Sequence, residues 1–310
     1  MFEPTRSGHL WALLGLLVLA LSAWSGAWIE ATADHSAFAL PPAAVGALLF
    51  LCGLLEPLLR RRRPALGSLV DVIAASLSGL LVVDLLQRWN PVALPTGELA
   101  SVPTRVLHNT QLHVVPAVNL VLGVALVLIV LRVIGVSGGA RPGRPGELAR
   151  SLTGTAPPSW RSVALRFCGG VVLTTAAFMS VRGAHWDPAG PWILVPIAAG
   201  TALTAVGEEV LFRGIVRPAA EDALGARWGN LLQAALFAGM HVSVDALASP
   251  EPRLVLREVA RIGLWILLGW FFGLAARDTR GVGVPALMHA VLGVALYVTL
   301  VFKAPQGFLG

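Results

Sequence analysis

Apolar residues run in stretches of about 20 along nearly the whole chain, the length of helix that crosses the hydrocarbon core of a bilayer. Nine such stretches are expected to be helices, at 10–29, 41–59, 65–87, 114–136, 162–182, 192–213, 229–248, 257–276 and 284–302. Eight spans fit as well, because 41–59 opens on Pro41 and Pro42 and 257–276 carries Glu258 and Arg261 near its start. The pattern predicts an all-α, polytopic transmembrane helix bundle of eight or nine spans. The first run is longer than the roughly 7–15 apolar residues of a signal peptide and is expected to persist as a helix. Between the fourth and fifth runs, "SGGARPGRPGELARSLTGTAPPSW" (137–160) is rich in Gly, Pro, Ser and Arg and reads as a linker. The expected regions are therefore an N-terminal four-helix membrane region (1–136), a cytoplasmic linker (137–161) and a C-terminal membrane region (162–310), with no repeat relating the halves.

Composition supports the membrane reading: 56% of the 310 residues are hydrophobic, 13% are charged and the mean hydropathy is +0.75. The net charge of +6 does not point to nucleic acid, since the basic residues form short clusters between apolar runs with no interleaved aromatics. They act instead as topology signals. With nine spans and the N-terminus cytoplasmic, 16 of the 23 basic residues fall on the cytoplasmic side, as the positive-inside rule requires. Lys303 is the only lysine, and the abundance of Ala, Gly, Leu and Arg suggests a GC-rich bacterial genome; the expected location is the inner (cytoplasmic) membrane. Cys52 and Cys168 lie inside apolar runs and offer neither a disulfide framework nor a CxxC metal site.

Charges near a helix centre cost about 2.5–3.5 kcal/mol each on the insertion scale, so those retained mark cavities, partners or chemistry. The C-terminal region holds three such places: "EEVLFR" (208–213), "FAGMH" (237–241) and "LMHAVLG" (287–293). On an α-helix Glu209 and Arg213, four apart with the acid first, share a face and can pair. Glu208 points about 100° away from that pair. This suggests a structural clamp of Glu209 with Arg213 and a reactive carboxylate at Glu208. Phe237 and His241 are also four apart, so the ring can shield the imidazole from lipid. Asp245, four further on, is placed to accept from the His241 ring and fix its tautomer.

A carboxylate and two histidines in a dry pocket can hydrolyse an amide: the carboxylate takes a proton from water, an imidazole orients the water or protonates the leaving amine, and a further donor steadies the oxyanion. Glu208, His241 and His289 are equally a zinc-ligand set with water in the fourth position. Spacing does not separate these, so the cofactor is either none or zinc.

EExxxR, then FxxxH on the next helix, then a histidine on a later helix resembles the CAAX prenyl protease and bacteriocin-processing (CPBP, Abi) family over roughly residues 190–302. The resemblance implies a multi-helix intramembrane endopeptidase acting on a membrane-tethered protein or peptide. It implies that Glu208 is the catalytic glutamate, that His241 helps activate water, that His289 stabilises the oxyanion, and that Glu209 and Arg213 support them. The family's last motif has Asn or Asp four residues after the final histidine, where this chain has Gly293. Asn230, at the start of the His241 helix, is a substitute if the fold brings it near.

Two other readings bear on these residues. A transporter or an immunity-type binding protein on the same scaffold is the non-enzymatic alternative, with Asp71 and Asp84 as a conceivable proton pathway, though both lie near the ends of their span. "GVSG" (135–138) fits a rhomboid GxSG, but it sits where glycine is expected as a helix stop. HExxH and paired GxGD motifs are absent.

Overall fold

The computed structural model describes residues 6–24, 42–88, 110–135, 158–181, 190–242 and 244–301, which are helical almost throughout, with no strand among them. In chain order the helices are α1 (Arg6–Trp24), α2 (Pro42–Arg62), α3 (Pro64–Arg88), α4 (Val115–Val133), α5 (Pro158–Val181), α6 (Gly190–Glu209), α7 (Arg217–Leu224), α8 (Ala226–Gly239), α9 (Val244–Ala248), α10 (Pro252–Asp278) and α11 (Gly283–Val301). Two π-helical segments, Thr110–Val114 and Val210–Val216, precede α4 and follow α6. The linker proposed at 137–161 lies outside the described residues up to 157.

Six helical segments are long and apolar enough to cross a membrane: Pro42–Arg62, Pro64–Leu86, Val115–Val133, Pro158–Ser180, Trp192–Leu224 and Pro252–Asp278. The apolar stretches of α1 and α11, Ser7–Ser22 and Gly283–Thr299, are shorter. The run expected at 229–248 is not one continuous helix among the described residues. Its helix, α8, has 14 residues, about 21 Å of rise against about 30 Å of hydrocarbon. Its end tightens into shorter backbone bonds: the Met240 amide reaches Phe237 O at 3.3 Å and the His241 amide reaches Ala238 O at 2.9 Å. With the two shorter ones, the apolar helices among the described residues number eight. The run 192–213 is also corrected in kind, being α-helical to Glu209 and π-helical from Val210.

The described chain forms two compact units, each taking helices from both sides of the linker. One contains α1–α3, most of α4, the π segment after α6, α7–α9 and most of α10. Here α1 crosses α2 on glycines, since a Cβ at Gly53 would lie 2.4 Å from the Ala12 amide nitrogen and one at Gly15 2.4 Å from that of Phe50. Small residues at a membrane crossing let backbones approach where no hydrophobic force drives them together. The three helices are further tied by polar groups. Trp11 Nε1 donates to Asp71 at 2.8 Å, and Arg60 bridges Asp71 and Glu56. Asp71 is thereby buried in a cluster. α7 and α8 form a tight hairpin through Gly225, whose φ of 82° favours glycine. On α10, Arg261 binds Glu258 through two hydrogen bonds of 2.8 and 2.6 Å, which explains how this helix tolerates both charges.

The other unit contains the π segment and first turns leading into α4, together with α5, α6, the end of α10, and α11. α11 packs against α6 and α5. A Cβ at Gly200 would meet the His113 carbonyl carbon at 2.4 Å, so the π segment lies directly on α6. Leu165 and Leu173 of α5 are more than 70% exposed, as befits side chains facing lipid.

Candidate functional site

The last turn of α6 ends in Gly207, Glu208 and Glu209. A Cβ at Gly207 would stand 3.1 Å from the Leu120 side chain, so glycine lets the start of α4 close over this turn. His289 is carried on the second turn of α11, which follows a tight reversal at the end of α10. The Thr279 hydroxyl closes that reversal by donating to Ala275 O at 2.7 Å, and Arg280 adopts a φ of 53°.

The three side chains meet. His289 Nδ1 lies 3.0 Å from Glu209 Oε1, and His289 Nε2 lies 3.7 Å from Glu208 Oε2. Glu208 and His289 are each 7% exposed and Glu209 is fully buried. A carboxylate can only accept, so Nδ1 carries the proton given to Glu209, and Nε2 is turned to Glu208 at a distance longer than a hydrogen bond. One imidazole thus stands between two carboxylates held out of water, where any positive charge on the ring would offset both. Position 209 was assigned on helical spacing to Arg213; its bond to His289, 80 residues away, had no local signal.

Gly293 lies one turn beyond His289. A Cβ there would sit 2.5 Å from Thr201 Cγ2 on α6, so the position that departs from the family motif is one where α6 and α11 leave no room for a side chain. Beside this contact α5, α6 and α11 enclose a cavity of about 610 Å³. Its walls are apolar, including Val172, Met179, Ala198 and Val294, with Thr175 and Ser180 as polar points. Ala290 and Val291, which follow His289 directly, also line it.

In the other unit His241 occupies the turn just past α8. Its Nδ1 lies 2.9 Å from Phe237 O. A carbonyl only accepts, so Nδ1 carries the proton and Nε2 the lone pair. A backbone carbonyl thus holds this nitrogen, and the Asp245 side chain, expected to fix the tautomer, is outside the described residues. Phe237 does wall the imidazole, with ring centroids 4.8 Å apart. Arg213 is 1% exposed; it donates to Gly269 O at 3.3 Å and its guanidinium lies 4.1 Å from the Phe237 ring centroid. Asn230 is committed to the scaffold, donating to Trp270 O at 3.1 Å and accepting from Gln233 at 3.0 Å.

Trp265 was not singled out from the sequence. Its indole stacks on His241 with centroids 4.1 Å apart and planes at 26°. The signal was its place at the middle of α10, whereas interfacial tryptophans gather near span ends.

Among the described residues no group of three or more His, Cys, Asp or Glu side chains is gathered as metal ligands, and no step below passes through a metal.

The fold and these buried ionisable groups define a multi-pass helical membrane protein with a carboxylate–histidine centre. Residues 190–295, about a third of the chain, match the family model described as type II CAAX prenyl endopeptidase Rce1-like. This region is therefore similar to the CAAX-type membrane endopeptidases. It includes Glu208, Glu209, Arg213, Phe237, His241, Asp245, His289 and Gly293. No curated protein and no solved structure matches the chain.

Proposed function

We propose that the protein is an intramembrane endopeptidase that hydrolyses a peptide bond in a membrane-tethered protein or peptide, with Glu208 as general base. The observation that carries this reading is the His289 imidazole set between Glu208 and Glu209 at 3.7 and 3.0 Å, all three at least nine-tenths buried. Glu208 takes a proton from water as its oxygen bonds to the scissile carbonyl carbon. The tetrahedral oxyanion is steadied by Nε2–H of His289 in its doubly protonated form, while Nδ1–H stays on Glu209, which orients the ring. The carbon–nitrogen bond then breaks, and the proton held by Glu208 passes to the leaving amine. By the motif, His241 assists the water, with Nε2 as its basic nitrogen. General base catalysis of this kind contributes about 10²–10⁴-fold. The apolar cavity between α5, α6 and α11 suits the lipid-like part of such a substrate. C-terminal processing or sorting of exported proteins is the physiological task we favour.

The test uses the full-length protein in nanodiscs with an internally quenched farnesylated CAAX peptide. Mass spectrometry is expected to show one cleavage with the gain of one water, undiminished in excess chelator. An intact peptide after prolonged incubation would refute the reading.

A further inference from the structure

We infer that Trp265 is a positioning residue for His241, acting through the face of its indole. This rests on the peptidase role proposed for His241, but its structural part stands on geometry alone. His241 lies beyond the end of α8, so no helical backbone constrains its ring. Two of its contacts bear directly on its rotation. The bond from Nδ1–H to Phe237 O fixes one edge of the imidazole, and the indole lies against its face at 4.1 Å and 26°. Rotating the ring about its Cβ–Cγ bond would break the first contact and collide with the second. Trp265 is braced in turn by the edge of Phe237, at 5.8 Å and 78°, and Phe237 is packed edge-on against Phe212 at 5.4 Å.

The polar end of Trp265 shows which property matters. Its Nε1 is buried and has no hydrogen-bond acceptor among the described residues. Buried indole N–H groups ordinarily find one. A tryptophan retained for its N–H would be placed to use it; this one is placed to use its plane. Phenylalanine should therefore replace it in large part, and an aliphatic side chain should not.

The experiment compares wild type with Trp265→Phe and Trp265→Leu, full length in nanodiscs, with Trp265→Met in place of the leucine variant if that fails to fold. Nitrogen NMR of ¹⁵N-histidine-labelled protein reads the His241 tautomer, assigned by its loss in His241→Asn. Wild type and Trp265→Phe should show Nδ1 protonated, and the aliphatic variant an averaged ring. On the farnesylated peptide the aliphatic variant should lose about 10–100-fold in kcat with KM within about threefold, the scale expected for a misplaced catalytic group. Trp265→Phe should recover most of that loss. An aliphatic variant with the wild-type tautomer would overturn the inference, as would a Trp265→Phe variant as disturbed as the aliphatic one. If wild type leaves the peptide intact while the tautomers behave as stated, the peptidase reading fails and the positioning of His241 stands.

Discussion

Glu209 shows how far residue spacing reaches. Four positions before Arg213 in an apolar run, it reads as half of a helical ion pair. The structure gives it a 3.0 Å bond to His289, and the helix is π-helical from Val210, where bonds run i to i+5. The identity of the charged residues was legible, because burying them in a membrane is costly enough to select only useful ones. Their partners were not, because Glu209 and His289 are joined only by folding. If Glu209 orients His289, Glu209→Gln keeps the shape but weakens the hold on Nδ1–H. It is expected to lower kcat by about 10–100-fold, as losing an orienting carboxylate does elsewhere, with a melting temperature close to wild type. A kcat equal to wild type would remove Glu209 from the mechanism.

At the scale of elements, hydropathy located a helix in each of the nine runs because burying apolar side chains in lipid is additive along a chain. It did not show where α8 ends. That depends on backbone bonds tightening at Met240 and His241. Nor did it show why position 293 is glycine, which is decided by Thr201 on another helix. Gly293→Ala should push a methyl group into Thr201 Cγ2 and destabilise the protein by about 1–3 kcal/mol, the usual cost of overpacking. Thr201→Ser removes that methyl and should restore most of the loss in the double variant. Strictly additive effects in thermal unfolding would show that the two residues do not share the space.

For the whole molecule, composition alone identified a multi-pass membrane protein, and the family match is confined to residues 190–295. The division into two compact units was not legible, because each gathers helices from both sides of the Gly- and Pro-rich linker. The count of long apolar helices bears on topology. With eight spans, reporters placed before α1 and after α11 should report the same side of the membrane, the cytoplasmic side by the distribution of arginine. Nine spans would put them on opposite sides.

The central claim is that Glu208 is the base of a peptidase, and Glu208→Gln tests it most directly because only a proton acceptor is lost. Turnover of the internally quenched farnesylated peptide by wild type and by Glu208→Gln, each reconstituted and shown to melt at the same temperature, should differ by at least about 100-fold. Equal turnover by the two proteins would contradict the account.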